Sequence, residues 1–180
     1  KTPVVVKDSP GFLVNRILVP YLMEAVRLHE SGIPVKDIDE AMLEFGMPMG
    51  PMRLLDEIGL DVASHVAQTL AKAFPDRFPK SDTLDKLVAE GHLGKKSGRG
   101  FYQYANGREI AFTAAPPMPQ QESIQTRLAL LISQEAMKCL KEGIARSADD
   151  IDLAMVLGTG YPPFRGGPIT FARDTGIVDY

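Results

Sequence analysis

Asp8-Ser9-Pro10-Gly11-Phe12-Leu13-Val14-Asn15-Arg16-Ile17-Leu18-Val19-Pro20-Tyr21-Leu22-Met23-Glu24-Ala25 reads as the start of a long buried helix. Ser9 suits the N-cap, where its side chain accepts from orphan backbone N–H groups. Pro10 suits the first helical position, which needs no donor. Apolar side chains then cover most of the circumference, the pattern of a helix packed on several sides. At 100° per residue Arg16, Pro20, Glu24 and Arg27 share one stripe, whereas Asn15 falls among Phe12, Leu18, Val19, Leu22 and Val26. An amide on such a face must find hydrogen-bond partners or cost about 1–3 kcal/mol. Asn15 is therefore the sharpest functional clue in the chain, set against the plainer reading of an amide satisfied within the core.

Outward from this helix the punctuation is regular. Val4-Val5-Val6 precedes it as an extended lead-in, Pro20 should kink it, and Gly32 should stop it. Helices are predicted from Pro34 to Gly46, Met52 to Ile58, Asp61 to Phe74, and from a Ser81-Asp82 cap through Val88. A basic, glycine-rich turn, Gly91 to Gly100, leads into Phe101-Tyr102-Gln103-Tyr104. Residues 105–121, with Pro116, Pro117, Pro119, Gln120 and Gln121, read as a linker. Further helices are predicted over Glu122–Glu142 and Ala148–Leu157, with a last short one before Gly176. Strand signals are nearly absent, so the class is all-α.

The two sides of the linker resemble each other. Arg16 matches Arg127, Glu24-Ala25 matches Glu135-Ala136, and Gly32-Ile33 matches Gly143-Ile144; Ile38-Asp39-x-Ala41-Met42 matches Ile151-Asp152-x-Ala154-Met155, Gly50-Pro51 matches Gly167-Pro168, and Gly59 matches Gly176. The organisation expected is a first unit over 1–104, a linker over 105–121, and a second, partial copy over 122–180, packed about a pseudo-twofold axis. The partner of Asn15 is Thr126, so the second copy lacks the amide.

Composition narrows the rest. With 180 residues, 44% apolar content and a formal charge of −3, the chain has the makings of an ordinary globular core and no basic nucleic-acid face. No run is long and apolar enough to span a bilayer. The single cysteine, Cys139, fits a reducing, cytoplasmic compartment and reads as a core thiol. The start at Lys1-Thr2-Pro3, without an initiator methionine, suggests a piece of a longer chain. Gly158-Thr159-Gly160 and Gly98-Arg99-Gly100 lack the third glycine and the preceding strand of a dinucleotide site. His29, His65 and His92 have no metal-ligand spacing, and His65 could pair with Asp61. Lys95, Lys96 and Arg99 read as a solvated turn, Asp56-Glu57 and the Ile-Asp pairs as capping or solvated carboxylates, and Met42, Met47, Met49 and Met52 as core.

Lys1 to Arg16, Pro48-Met49-Gly50-Pro51 with Leu55-Asp56, and Gly94-Lys95-Lys96-Ser97-Gly98-Arg99-Gly100-Phe101-Tyr102 resemble signatures of the 3-hydroxyacyl-CoA dehydrogenase family, in its C-terminal helical domain. The second copy, with Gly160-Tyr161-Pro162-Pro163-Phe164-Arg165-Gly166-Gly167-Pro168, resembles the extra C-terminal domain of multifunctional fatty-acid-oxidation enzymes, which also carry an enoyl-CoA hydratase part. The resemblance implies a fold like the C-terminal domain of 6-phosphogluconate dehydrogenase. It implies an acyl-CoA substrate contacted by Asn15, and NAD held by a Rossmann domain that precedes this region together with the catalytic His–Glu pair. No catalytic, cofactor or metal residue is then expected within this chain, which alone should be inactive. Single-repeat relatives use this domain to form a homodimer, so homo-oligomerisation is a further expectation. A substrate-contacting tyrosine of some multifunctional relatives corresponds to Leu157 here and is not carried over. The alternative is a purely structural, dimerisation-type helical module.

Overall fold

A computed structural model describes residues 3–78, 81–110 and 121–177. Among the described residues eight α-helices carry the fold: α1 (Val14–Glu30), α2 (Val35–Phe45), α3 (Pro51–Ile58), α4 (Leu60–Ala73), α5 (Asp82–Ala89), α6 (Gln121–Lys141), α7 (Ala148–Thr159) and α8 (Pro168–Thr175). The all-α expectation holds. The exception is a two-residue hairpin, β1 (Tyr104–Ala105) with β2 (Arg108–Glu109), inside the stretch predicted as linker. Its turn is Asn106-Gly107, both at positive φ, the pair that suits a tight hairpin. Residues 111–120, the remainder of that linker, lie outside the described residues.

α1 is the spine. It packs against α6, α3, α4, α2 and α7, and its Ile17, Tyr21, Ala25 and Val26 are fully buried. It begins later than its caps suggest. Ser9 does not cap it; instead the Phe12 N–H donates to the Ser9 carbonyl at 2.8 Å, closing a turn, and the helix starts at Val14. Gly11 (φ +77°) and Phe12 (φ +50°) both occupy left-handed backbone, which no helix can continue through. A side chain at Gly11 would lie 3.0 Å from Leu70 Cδ2 and 3.2 Å from the Arg16 backbone nitrogen, so the turn is seated against α4 and the helix start. α1 runs unbroken through Pro20. Upstream, the Lys7 N–H donates to the Ile144 carbonyl at 2.8 Å, and Val6 bridges Ala145.

Two members of the charged stripe of α1, Arg16 and Glu24, are buried and pair with α6, while Arg27 is exposed. Arg16, 0% exposed, reaches Glu135 at 2.9 Å and Glu142 at 2.7 Å, and its guanidinium lies 4.6 Å from the Phe74 ring centroid. Burial works against its charge. The hydrogen bonds to Glu142 and Glu135 outweigh that and hold it above the usual guanidinium range. Arg77 also bonds Glu142 at 2.7 Å, and Lys138 lies 3.3 Å from Glu135. In the opposite direction Arg127 of α6 pairs with Glu24 of α1.

A second device occurs twice. Asp39 of α2 accepts from the Met52 and Arg53 N–H groups at 2.8 and 3.0 Å, capping α3 from a distance. Asp152 of α7 accepts from Ile169 and Thr170 at the same distances, capping α8. In each case the preceding residue is a glycine, Gly50 or Gly167, whose Cβ would collide with that carboxylate. These aspartates are buried, so of the two readings of the Ile-Asp pairs capping holds and solvation does not, and the caps are remote: an orphan helix N-terminus takes a carboxylate where its own N-cap is a glycine.

Candidate functional site

Asn15 sits in the first turn of α1, and its side chain is exposed. This corrects the buried-amide expectation. Leu18, Val19, Leu22 and Val26 of the same stripe are buried, whereas Phe12 and Asn15 at its N-terminal end are exposed. No desolvation cost therefore falls on the amide; it is free to bond outward. Two large apolar side chains, one just before α1 and one at the end of α7, are exposed as well. Phe12 is 58% exposed and Leu157, in the last turn of α7, is 62% exposed. Half-buried Val14 joins the two helices, since a side chain at Gly158 would meet its Cγ2 at 3.5 Å.

Phe12 is unusual in its backbone as well as its exposure. Among the described residues Phe12 and Asn106 are the two non-glycines at positive φ. Asn106 belongs to a hairpin turn that favours it. For an aromatic residue the left-handed region costs on the order of 1 kcal/mol, and such strain persists where the surroundings impose it. Nothing in its amino-acid type marked Phe12 beforehand; a glycine directly before it was the one available hint.

The other singled-out residues are structural. Asp56, 1% exposed, accepts from the Phe101 and Tyr102 N–H groups at 2.9 Å each and from the Tyr104 hydroxyl at 3.0 Å. It thus clamps the segment after the basic turn onto α3. Burial pushes its carboxyl up, against those three hydrogen bonds. The Tyr102 hydroxyl donates to Asp39 at 2.8 Å, and burial pushes Asp39 up to about 6 in spite of its donors. Lys95 and Lys96 pair with Glu57 at 2.6 Å and Asp61 at 2.5 Å, as expected of a solvated turn, so Asp61 serves Lys96 rather than His65. Arg99 and His65 are exposed. Met42, Met47 and Met52 are core. Met49 lines an open cleft of about 550 Å³ between α2, α3 and the hairpin, which Lys36, Leu43, Arg53 and Tyr102 also border. Cys139 is fully buried, and burial pushes its thiol up to about 12, which makes it inert at neutral pH.

Neither Gly-x-Gly run fits a dinucleotide. Gly158-Thr159-Gly160 ends α7, where backbone carbonyls rather than N–H groups are free, and Gly98-Arg99-Gly100 belongs to the turn that precedes the Asp56 clamp. Among the described residues no cluster of three or more His, Cys, Asp or Glu side chains could hold a metal ion, and no helix is long and apolar enough to cross a membrane.

Comparison with known proteins gives a consistent picture. Residues 11–104 match the family defined as 3-hydroxyacyl-CoA dehydrogenase, C-terminal domain. A fatty acid oxidation complex subunit alpha from Vibrio cholerae is 40% identical over 188 residues, covering 99% of this chain and 26% of that protein. Its counterpart from Idiomarina loihiensis is 41% identical over 187 residues, 98% of this chain and 26% of its own. The chain thus spans about a quarter of the length of the curated relatives it matches. Among solved structures, a 3-hydroxybutyryl-CoA dehydrogenase from Escherichia coli K12 superposes with a TM-score of 0.81 at 27% identity, over 97% of this chain and 55% of that one. The dehydrogenase part of a multifunctional enzyme from C. elegans, at 24% identity, shares the fold with a TM-score of 0.65 over 90% of this chain and 40% of its own.

Proposed function

The chain belongs to the 3-hydroxyacyl-CoA dehydrogenase family, through its C-terminal domain, and from that membership we propose that it is the substrate-binding and assembly region of an NAD-dependent 3-hydroxyacyl-CoA dehydrogenase of fatty-acid β-oxidation. The longer chain would oxidise a 3-hydroxyacyl-CoA to the 3-oxoacyl-CoA, for which NAD, held by a Rossmann domain outside these residues, would supply the hydride acceptor. Here the part played is on the substrate side. The observation that carries this reading is the exposed Asn15 amide in the first turn of α1. An amide N–H donated to the thioester carbonyl would fix the orientation of the acyl group, which is worth rate when reacting atoms must align. By itself the 180-residue chain would neither turn over nor bind NAD, since none of its glycine runs fits the nucleotide.

The same reading makes residues 122–180 a second, partial copy of residues 1–104, seated where a partner subunit would sit. Three recurrences support it. Arg16 and Arg127 reach across α1 and α6 to Glu135 and Glu24. Asp39 and Asp152 cap α3 and α8 at matching distances. Val14 approaches Gly158, and its counterpart Gln125 of α6 bonds Glu44 of α2 at 3.4 Å, one residue from the position that matches Gly158.

The test is Asn15→Ala in the full-length enzyme. kcat/KM for 3-hydroxyacyl-CoA should fall by about ten- to a hundredfold, a loss of ~1.4–2.7 kcal/mol at the transition state, with NAD affinity unchanged. Unaltered kinetics would refute the role.

A further inference from the structure

We infer that residues 101–109 form a proton-controlled wall of the cleft between α2, α3 and the hairpin: they are latched on Asp39 while its carboxyl carries a proton, and they open more readily once it ionises. The inference stands apart from the acyl-CoA reading of Asn15.

Three observations converge. First, the latch and the cleft share residues. Tyr102 and Glu109 supply one side of the cleft of about 550 Å³, Lys36, Asp39 and Glu40 of α2 another, and Arg53 of α3 a third. Second, polar contacts fasten the segment to the helices, and they converge on two buried carboxylates. The Tyr102 hydroxyl donates to Asp39 at 2.8 Å, while the Phe101 and Tyr102 N–H groups and the Tyr104 hydroxyl donate to Asp56. Arg53 pairs with Glu109 and lies 5.2 Å from the Tyr102 ring centroid. The strands of the hairpin are two residues each, too short to hold it by themselves.

Third, an ionised Asp39 has no cation bonded to it. The residue is 4% exposed, and its donors are the Met52 and Arg53 N–H groups and the Tyr102 hydroxyl, all neutral. The charges around it are already paired: Lys36 with Glu40 at 3.3 Å, the Arg53 guanidinium with Glu109, and on α6 Arg127 and Glu135 with Glu24 and Arg16 of α1. From α1, Tyr21 lies within reach of its charge, and the fully buried Tyr21 hydroxyl has no hydrogen-bond partner. Such surroundings favour the neutral acid, so burial holds the carboxyl up to about 6 in spite of its donors. Opening the wall returns Asp39 to water, where the ordinary carboxylate value applies. The closed wall therefore binds the proton more tightly than the open one. Opening is rarest below about pH 4 and increases as pH rises through about 6. Asp56, also pushed up by burial, acts in the same direction.

Hydrogen exchange of the 180-residue chain, followed by mass spectrometry at pH 5 and pH 7.5 and corrected for intrinsic rates, reads the opening. Exchange at the Tyr102 and Tyr104 amides should rise about tenfold between the two. At both pH values it should run faster than exchange in the middle of α6, because the wall opens without the bundle. Asp39→Asn, neutral throughout, should remove most of the rise, the remainder belonging to Asp56. If that variant does not fold, carbon-13 titration of the wild-type Asp39 carboxyl decides, since it must turn at the same pH as the exchange. A flat exchange profile, a rise undiminished in Asp39→Asn, exchange no faster than in α6, or an Asp39 that titrates as an ordinary carboxylate would each overturn the inference.

Discussion

Replacing Arg16 by methionine isolates the energetics of the α1–α6 seam. Methionine keeps most of the aliphatic stem and removes the charge, so packing is largely conserved and Glu135 is left behind. Glu135 is 2% exposed. Removing one partner of such a pair typically costs about 3–5 kcal/mol, because a buried charge is left uncompensated. Two features pull this case toward the lower figure. Lys138 at 3.3 Å and Arg77 at 3.8 Å still face Glu135, and Glu142 keeps its 2.7 Å bond to Arg77. The lost contact with the Phe74 ring adds about 0.5–1 kcal/mol. The expected loss is therefore about 3–4 kcal/mol, a large share of the stability of a domain this size. Arg127→Met provides the control. Arg127 makes the reciprocal pair with Glu24, whose side chain is 9% exposed and keeps Arg27 at 3.7 Å, but Arg127 itself is 58% exposed and water can replace it, so the loss should be clearly smaller than that of Arg16→Met. Urea unfolding of the chain followed by helical circular dichroism reads both values. Adding Glu135→Leu to Arg16→Met should recover at least half of the loss, since an apolar pair of similar volume needs no compensation. Equal costs for the two arginines, or a double variant worse than the single, would refute the argument.

The two remote clamps give further outcomes. Asp39, held up to about 6 by burial, binds its proton more tightly folded than unfolded, where the carboxyl titrates at its ordinary value. Its contribution to stability is thus fully present below about pH 4 and is lost as pH rises through about 6. Asp39→Asn should therefore cost ~2–3 kcal/mol more at pH 4 than at pH 7, measured by denaturation at both; a cost that grows with pH would contradict the assignment. Asp56→Asn turns an acceptor of three hydrogen bonds into a group that can accept fewer, which frees the segment around Phe101. Trypsin should then cut at Lys95, Lys96 or Arg99 at least about tenfold faster, following the local opening equilibrium; wild-type resistance would refute the clamp.

Helix ends were legible wherever chain chemistry is local. Gly46, Gly59, Gly143 and Gly176 stop or follow helices as expected, because a stop depends on the residue that occupies it. The start of α1 was not, because Ser9-Pro10 is an equally good turn signal and the choice falls to the seat that Gly11 finds on Leu70. The buried aspartates escaped for a similar reason. Their donors lie 13 residues away for Asp39 with Met52 and 45 for Asp56 with Phe101, distances over which no periodicity speaks. Asn15 stood out as an amide on an apolar stripe, but its exposure, shared with Phe12 at the same end, is set by tertiary packing that the stripe does not reveal. The hairpin could have been found: Asn106-Gly107 announces it, masked by flanks too short to read as strands.

The seam between α1 and α6 also sets a clock for synthesis. Arg16 and Glu135 are 119 residues apart, so at about 5–20 residues per second the spine helix waits roughly 6–24 s on the ribosome before its partner is made. Through that interval Arg16 has no carboxylate of α6 to pair with. A neighbouring nascent chain could supply an α6 of its own, and the exchanged dimer would satisfy every ion pair of the seam. Translation speed upstream of α6 therefore bears on whether the molecule folds upon itself or with a neighbour.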